Sequence, residues 1–453
     1  MLPSDQELQR YHHCNTMADE KEQQLRETIA SQKVAIAALP SLRSIVEETG
    51  IASPETKARA QQIKELSENE EELELLLESK RVAAVIRLQD ELHPPLNSED
   101  CPICLETVKH VYSETVSRFY CCGGFVCNHC SEERQSKAKN GFCDAMFNNK
   151  CPLCRERFPT AGKEVRRRLL QHSNKGKAWA QASLGACYTS EESKKFGFLL
   201  DEAKGRQLIK QAADQHNSEA CYLMATELGR GERMKFMYLK EAADRGNVHA
   251  QYELARDMAR GVFQFECSDA RENFLHYVTL SASQGVSGAC AMLGQLFMKD
   301  DECGVNMFMS AECGLTKSLV LAKHYSEKTL ENTEQVDRFP VLEAYNVSAA
   351  LWNLGVERYE GVVGIPGCSP IPKVLFWTRK VLDSENPIMK NHAIELLSHV
   401  EPDVKNHCAN CGKEAGCSTF KRCVRCSGAW YCGKECQIAH WKAGHKIDCI
   451  KRN

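Results

Sequence analysis

The sequence has no long apolar run and almost no net charge, and these absences exclude several classes of protein. No stretch approaches the roughly 18 uninterrupted apolar residues of a membrane-spanning helix. The N-terminus is polar and lacks the apolar core of a secretory signal, so we expect a protein of the cytoplasm or nucleus. The formal net charge is only −3, which favours neither a nucleic acid nor a membrane as the partner.

Cysteine, in contrast, is abundant, with 25 in 453 residues. Disulfides are rare in a reducing compartment, so clustered cysteines there more often bind metal. Nine lie between Cys101 and Cys154, eight lie between Cys408 and Cys449, and the other eight are scattered singly. The two clusters predict two zinc modules, and the length of the chain predicts three or four domains in all.

The first 95 residues are expected to form an acidic helical region, since they carry 18 acidic and 11 basic side chains. Ser53-Pro54-Glu55 has the order of a helix start, with an N-cap residue, a proline in the first turn and an acid that suits the helix dipole. Apolar residues then recur at helical spacing to about Leu92, just before Pro94-Pro95. This predicts a packed amphipathic helix. A weak coiled-coil dimer is the alternative, because charged residues interrupt any strict heptad.

Residues 165–400 contain an internal repeat, in which a small residue is followed four places later by Leu, Met or Ala. The clearest copies are Gly176-x3-Ala180-x3-Leu184-Gly185-x2-Tyr188 and Gly285-x3-Ala289-x3-Leu293-Gly294-x2-Phe297, and degenerate copies centre on Ala220, Ala250, Ser318, Ala350 and Ala393. Small residues at fixed positions let two helices approach closely, and a glycine closes the turn between them. The region is therefore expected to form stacked helix pairs.

This pattern resembles Sel1-like repeats, relatives of the tetratricopeptide class. The resemblance covers about half of the chain, although some copies are degenerate. It implies an α-solenoid that offers a surface to protein partners and has no chemistry of its own.

The central cluster, in residues 96–160, is ordered Cys101-Pro-Ile-Cys104, then Cys121-Cys122-x4-Cys127-x2-Cys130, then Cys151-Pro-Leu-Cys154. Zinc prefers four tetrahedral sulfur or nitrogen ligands, and a Cys-x2-Cys knuckle supplies two of them from one tight turn. Three such knuckles and one further pair are enough for two sites. The cluster resembles a RING finger, in which ligand pairs alternate between two zinc ions. The resemblance implies a first site formed by Cys101, Cys104, Cys127 and Cys130.

The second site of this RING-like module is irregular. Where an ordinary RING has a histidine, this chain has Gly124. The all-cysteine RINGs match better, with Cys122 as the fourth ligand and Cys121 one residue too close for the third. The expected set is Cys121, Cys122, Cys151 and Cys154, and Cys143 or His110 is an alternative to one of the adjacent pair. His129 lies inside a complete knuckle and is expected to be a bystander.

A RING does not react with ubiquitin itself but positions a charged ubiquitin-conjugating enzyme, the E2, for reaction. The resemblance implies E2 contacts from Ile103, Pro152 and Leu153. It also implies that Arg155, directly after the last cysteine, holds the tail of ubiquitin. The tryptophan of the family's central groove is missing, and Phe142 or Phe147 is a candidate to replace it.

The last cluster, in residues 405–453, reads Cys408-x2-Cys411-x11-Cys423-x2-Cys426-x5-Cys432-x3-Cys436-x8-His445-x3-Cys449. The run from Tyr431 to Gln437, followed by His440-Trp441 and His445-Lys446, resembles a MYND finger. The resemblance implies one zinc on Cys408, Cys411, Cys432 and Cys436, and another on Cys423, Cys426, His445 and Cys449. With four protein ligands each, both ions are expected to be structural.

Other residues of this last module bear on its partners. Gln437 and Trp441 match positions that line a groove for short proline-containing peptides in MYND fingers with known partners, although Trp441 could equally cap the small core. His440 is not expected to bind zinc, and Cys417 is expected to be free. From Lys405 onward there are ten basic and three acidic side chains, but the pattern lacks the interleaved aromatics that stack on bases. Protein partners are therefore expected rather than nucleic acid.

The sequence thus predicts a mainly α chain with a helical N-terminal region, a solenoid of Sel1-like helix pairs and two small zinc-organised α+β modules. Four zinc ions are expected. The function expected from the RING resemblance is that of an E3 ubiquitin-protein ligase, in which the repeats and the MYND finger recruit protein partners. The alternative is a non-enzymatic, zinc-dependent scaffold for protein–protein interaction.

Overall fold

The computed structural model of the chain describes residues 5–51, 53–96, 98–139, 150–158, 162–190, 197–229, 231–262, 270–298, 315–331, 340–362, 364–414 and 420–451. These residues are mostly helical with a few two- and three-residue strands, which confirms the prediction of a mainly α fold. Two compact units are present: residues up to Ala83 together with those from Ser287 onward, and residues from Ala84 to Val286. None of the described helices has both the length and the apolar character needed to cross a bilayer.

The chain begins with three helices: α1 (Asp5–Ala37), α2 (Leu42–Thr49) and α3 (Pro54–Leu92). Helix α3 starts and ends where the sequence predicts. At its start the Ser53 hydroxyl accepts a hydrogen bond from the Thr56 amide at 3.0 Å, and its end precedes Pro94-Pro95. In the first unit, α1 packs antiparallel to α3. Ion pairs join them, among them Lys21–Glu72 at 2.6 Å and Lys33–Glu70 at 2.8 Å.

The RING-like module belongs to the second unit. It has two antiparallel hairpins, β1 (Glu99–Asp100) with β2 (Thr107–Val108) and β3 (Val116–Arg118) with β4 (Phe125–Cys127), followed directly by helix α4 (Asn128–Lys139). A core of cysteines packs with Phe119 and Val126, so the metal-binding side chains make up much of the interior.

The rest of the second unit is an array in which each helix packs against the next: α5 (Gly162–Asn174), α6 (Ala178–Thr189), α7 (Glu202–Ala213), α8 (Ser218–Thr226), α9 (Arg233–Asp244), α10 (Val248–Ala259) and α11 (Ala270–Ser283). The small repeat residues Ala180, Ala220 and Ala250 are fully buried. Asn217 and Asn247 cap helices α8 and α10, since each side chain accepts from the amide three residues on at 2.9 Å.

Helices α6 and α7 show why the repeat needs small residues. A Cβ atom added to Gly185 would lie 2.8 Å from the Gly205 carbonyl oxygen, and one added to Gly205 would lie 2.9 Å from the Gly185 carbonyl oxygen. The two backbones therefore touch at a point where neither helix can carry a side chain.

The helical array of the first unit consists of α12 (Ser287–Met298), α13 (Leu319–Glu331), α14 (Val341–Arg358), α15 (Ile371–Leu382) and α16 (Pro387–Lys405). The repeat residues Ala289, Ala350 and Ala393 are fully buried. The copy centred on Ser318 is displaced by one turn, because Ser318 precedes α13 and its hydroxyl accepts from the Leu321 amide at 3.1 Å. The buried small residue of that helix is Ala322.

The C-terminal module also belongs to the first unit. It contains one antiparallel hairpin, β5 (Lys421–Arg422) with β6 (Trp430–Tyr431), and then helix α17 (Lys434–His440). A wide turn (Trp441–His445) and the short helix α18 (Lys446–Asp448) follow. These elements are too short to form a core of their own, so we expect the metal to hold them together.

Candidate zinc centres and neighbouring surfaces

The described residues bring cysteine and histidine side chains together in four clusters, and the ligand atoms of each lie within 4.8 Å of one another. Two clusters lie in the RING-like module and two in the C-terminal module. Their members are Cys101, Cys104, Cys127 and Cys130; Cys121, Cys122, Cys151 and Cys154; Cys408, Cys411, Cys432 and Cys436; and Cys423, Cys426, His445 and Cys449. The sequence groups the same side chains in the same sets of four.

The spacing of the sulfur atoms fits tetrahedral zinc. Sulfurs about 2.3 Å from a tetrahedral ion lie roughly 3.8 Å apart, whereas a disulfide joins them at about 2.05 Å. One sulfur–sulfur distance from each cluster is 3.7 Å for Cys104–Cys127, 3.9 Å for Cys122–Cys151, 3.7 Å for Cys411–Cys432 and 3.9 Å for Cys423–Cys449. With this donor set and this spacing, the expectation of four zinc-compatible clusters is confirmed.

Four Cys-x2-Cys knuckles share one backbone turn. In each, the amide of the residue after the second cysteine donates to the carbonyl of the first cysteine, at 2.8 to 3.0 Å. That residue has a positive φ in every case, and the four are Leu105, Arg155, Gly412 and Ser427. Three of them are not glycine, so the sharp turn that aims two sulfurs at one ion is kept at some backbone cost.

Backbone amides also stabilise the thiolate form that zinc requires. Burial acts to raise the pKa of Cys101, but hydrogen bonds from nearby backbone amides outweigh it and lower the pKa to about 6. Cys408 in the C-terminal module has the same arrangement, and its pKa is also about 6. Among the donors are the Cys127 amide to the Cys101 sulfur at 3.4 Å and the Cys432 amide to the Cys408 sulfur at 3.5 Å.

The adjacent pair Cys121-Cys122 lies in a tight turn between β3 and β4. Phe119 and Gly124 pair across this turn, and Gly123 takes a φ of +76°. The turn lets both neighbouring sulfurs reach Cys151 and Cys154, with Cys121 and Cys154 3.4 Å apart. A Cβ at Gly124 would lie 2.5 Å from the end of the Leu153 side chain, so the ordinary histidine of a RING would require Leu153 to move.

The two alternative ligands for this site have different outcomes. His110 is not in the cluster of the described residues, because its ring lies against Gly246 at the turn between α9 and α10. Cys143 lies outside the described residues, as do Phe142 and Phe147, the candidates for the missing groove tryptophan. His129 is exposed and is absent from the first cluster.

In the second C-terminal cluster, the ligand atom of His445 is Nε2, which lies 3.6 Å from the Cys426 sulfur. His440 is absent from the cluster, although its ring stacks on that of His445 with 4.8 Å between the centroids. The Nδ1 atom of His440 instead pairs with the Tyr431 hydroxyl at 2.9 Å, and burial lowers the pKa of His440 to about 3. Cys417 lies outside the described residues.

Sequence reasoning missed the contacts that support this cluster from the helical array. Arg379 of α15 donates to the carbonyl oxygens of Cys426 at 3.0 Å and Ser427 at 2.9 Å. Asp448 of α18 accepts from the Gly367 amide at 2.8 Å. No motif contains these contacts, because they join residues 47 to 81 positions apart in the chain.

The predicted E2-contact residues lie on the two Cys-Pro-x-Cys knuckles. Ile103 is 48% exposed although it is apolar, and Arg155 is exposed. Pro152 and Leu153 are half-buried, and Leu153 packs against the cysteine core of the module. Of the four predicted E2-contact residues, Ile103 is thus the apolar one that is exposed to solvent and does not pack in the described core.

Gln437 and Trp441, the predicted peptide-binding residues, are one turn apart at the end of α17. Gln437 is half-buried, and Trp441 is 37% exposed while its ring packs edge-on to His445 with 5.9 Å between the centroids. Arg425 lies over the same indole at 6.0 Å. Trp441 therefore covers the zinc cluster on one side and remains accessible on the other.

The RING-like module is fastened to the helical array of its unit. The buried Tyr112 hydroxyl accepts from the Val248 amide at 3.4 Å. His172 of α5 donates to the Tyr120 carbonyl at 3.1 Å, and the Arg118 guanidinium lies 5.0 Å from the centre of the Trp179 ring. These contacts fix the orientation of the zinc module on the array.

Part of this chain matches a known protein family. Residues 408–449 match the family model of the MYND finger. Ubiquitin carboxyl-terminal hydrolase 16 of Arabidopsis thaliana is 44% identical over 43 residues, which are 10% of this chain and 4% of that protein. The chain thus matches only a small part of the length of this curated relative.

Two solved structures resemble the chain in part. One is c5321, described as a protective antigen of uropathogenic Escherichia coli with an SLR fold, with 13% identity, 53% of this chain and 46% of that chain covered, and a TM-score of 0.36. The other is a Sel1 repeat protein from Oxalobacter formigenes, with 16% identity, 51% and 80% covered, and a TM-score of 0.33. The residues that match the MYND-finger family, 408–449, thus also contain two clusters that are compatible with zinc.

Proposed function

We propose that this chain is a RING-type E3 ubiquitin-protein ligase, and that its helical repeats and MYND finger recruit protein partners. The observation that carries the proposal is the second cluster of the RING-like module. Its irregular cysteines Cys121 and Cys122 converge with Cys151 and Cys154 at zinc-compatible spacing. The module thereby keeps both knuckles that a RING uses to hold an E2, including an exposed apolar residue, Ile103, on the first.

In the proposed reaction the chain forms no bond with ubiquitin. Ile103 contributes apolar contact area to the E2, and Pro152 and Leu153 contribute from the last knuckle. Arg155 holds the tail of the thioester-linked ubiquitin, so that the bond to the E2 is presented to the attacking lysine in a reactive orientation. Holding two reactants in one orientation lowers the activation barrier, because their translational and rotational entropy is already lost on binding. No acid, base or nucleophile of this chain is needed.

Reconstituted ubiquitination tests this proposal. The zinc-loaded chain is mixed with ubiquitin, activating enzyme, ATP and a panel of E2 enzymes, beside Ile103→Ala and Arg155→Ala variants. We expect chain formation in the parent and its loss in both variants. Val424→Ala is the matched control, because Val424 is an apolar residue of a knuckle in the MYND finger and is 90% exposed. Absence of activity across a broad panel, with four zinc ions bound, would contradict the ligase proposal.

A non-enzymatic scaffold is the second candidate, and the accessible face of Trp441 in the MYND finger favours it. On this proposal Gln437 and Trp441 receive a short proline-containing peptide, and the RING-like module only docks partners. Tryptophan fluorescence on titration with proline-containing peptides measures this binding, with Trp441→Ala as the variant that loses it. Peptide binding without ubiquitin transfer would favour the scaffold, and ubiquitin transfer lost in Ile103→Ala would favour the ligase.

A further inference from the structure

The stretch of α3 from residue 65 to 78 carries seven glutamates and no basic residue. One face of this stretch contacts the helical array of the first unit. Glu71, Glu74 and Glu78 lie on that face, at the i, i+3 and i+7 positions of a helix. Glu65, Glu68 and Glu72 are exposed to solvent. The acidic stretch therefore has a contacting side and an exposed side with the same number of carboxylates.

The array offers a complementary set of polar groups to the contacting face. Lys323 of α13 pairs with Glu71 at 2.9 Å, and Arg358 of α14 pairs with the same carboxylate. Burial acts to raise the pKa of Glu71, but these two cations outweigh it and keep the pKa below its ordinary value.

Two hydroxyl groups complete the receptor surface. The Tyr325 hydroxyl donates to Glu78 at 2.6 Å, and the Ser318 hydroxyl donates to Glu74. Ser318, Lys323, Tyr325 and Arg358 thus form an acidic-helix receptor, each member bonded to a carboxylate of α3.

This contact differs from the apolar packing nearby. Between the start of α3 and the loop after α14, Ile63 packs with Leu42, Tyr359 and Ile365 in a closed cluster. Beside the acidic stretch, two cavities of about 670 and 380 Å³ are lined by α3 and by the array, and Arg358 lines both. The acidic stretch is therefore held by charged and polar contacts together with half-buried leucines such as Leu73, beside unfilled space. The charged contacts weaken with salt and can be replaced by another acidic group.

From these contacts we infer that the acidic-helix receptor binds a helix of a partner protein that presents carboxylates at i, i+3 and i+7, and that residues 67–83 of α3 occupy the receptor until that partner displaces them. The acidic stretch that fills the receptor in this chain shows which pattern of carboxylates the partner helix would present. Displacement leaves the apolar cluster around Ile63 in place and moves α1 together with the acidic stretch, because Lys33 and Lys21 of α1 pair with Glu70 and Glu72. The inference does not depend on ligase activity.

A labelled peptide in trans tests the inference on the whole chain. A fluorescein-labelled peptide that copies residues 64–83 is titrated into the parent chain and into the variant Glu71→Gln/Glu74→Gln/Glu78→Gln, with fluorescence anisotropy as the readout. The variant's own helix holds the receptor less firmly, so we expect it to bind the peptide at least about tenfold more tightly than the parent does. The control variant Glu65→Gln/Glu68→Gln/Glu91→Gln removes the same charge from exposed positions of α3 and should bind like the parent.

Changes on the receptor complete the test. Lys323→Glu added to the first variant should abolish binding, and a peptide carrying Glu71→Lys should restore it. Thermal unfolding and zinc content show whether each variant is folded, and the single change Glu71→Gln serves if the triple variant is not. Equal affinity for the parent and the Gln variant, or binding that is indifferent to Lys323→Glu, would overturn the inference.

Discussion

The substitution Arg379→Met tests whether the last helical pairs support the zinc of the MYND finger. Arg379 gives two hydrogen bonds to the carbonyl oxygens of Cys426 and Ser427, in the knuckle that supplies two ligands of the second MYND cluster. Methionine keeps most of the volume of the side chain and removes the donors. Because a small zinc module folds with its metal, a contact that needs the folded knuckle contributes to zinc affinity.

The size of the effect follows from the two hydrogen bonds. A bond from a charged donor contributes about 1.5–3 kcal/mol, and since Arg379 is partly exposed we take about 2–3 kcal/mol for both together. That free energy corresponds to roughly 30- to 150-fold in affinity. Removing an outer partner of a metal site generally lowers metal affinity by about 10- to 100-fold, so the two ranges overlap between roughly 30- and 100-fold.

Zinc release to a chromophoric chelator is the assay. We expect one of the four ions to leave Arg379→Met at a chelator concentration roughly 30- to 100-fold lower than in the parent chain, with the other three unchanged. Lys373→Met is the matched control, because Lys373 is an exposed cation of the same helix. Identical release curves for the two variants would refute the idea that α15 stabilises this zinc.

Three further predictions test other parts of the structure. Cys121→Ser should lower the bound zinc from four ions to three, measured by atomic emission, whereas Cys143→Ser should leave four; the reverse result would make Cys143 the ligand. Gly205→Val should destabilise the second unit by at least about 1–3 kcal/mol in urea unfolding, because its Cβ would overlap a carbonyl oxygen of α6; unchanged stability would contradict the close helix crossing. The pKa of Glu71 is lowered in the folded chain, so its contribution to stability is complete above the ordinary value of 4.5 and is lost as the pH falls through the lower folded value. The protection factors of residues 67–78, which correct for the slower intrinsic exchange of amides in acid, should therefore fall on acidification, and less steeply in Glu71→Gln; equal steepness would show that other groups control this segment.

The zinc clusters can be predicted from the spacing of their ligands in the sequence, because a knuckle is a local structure and one turn fixes its two sulfurs. The same holds for α3, whose start depends on Ser53 and whose end precedes two prolines. The convergence of the adjacent cysteines does not follow from spacing alone, since it depends on the turn at Gly123 and on the position of Leu153 beside Gly124.

Contacts between residues distant in the sequence could not be predicted from one chain. His110 was a reasonable alternative ligand by its position near the cysteines, but its ring packs against Gly246, more than a hundred residues later. Likewise the repeat pattern found small residues without showing which turn of α13 would be buried, and it placed the copy on Ser318 instead of Ala322. The acidic stretch of α3 was visible as a composition, while its partners on α13 and α14 were not.

The close fit of the RING-like module on its helical array has a consequence for how such a chain can evolve. A Cβ at Gly246 would lie 2.4 Å from the His110 ring, so a substitution at either position requires a compensating change at the other. The buried Tyr112 and the stacked Tyr120–Trp179 pair add further positions of this kind. A module held in this way cannot be shuffled between proteins as an independent cassette. We expect it to be inherited together with the helices beneath it, and to be recombined only at the cost of rebuilding that interface.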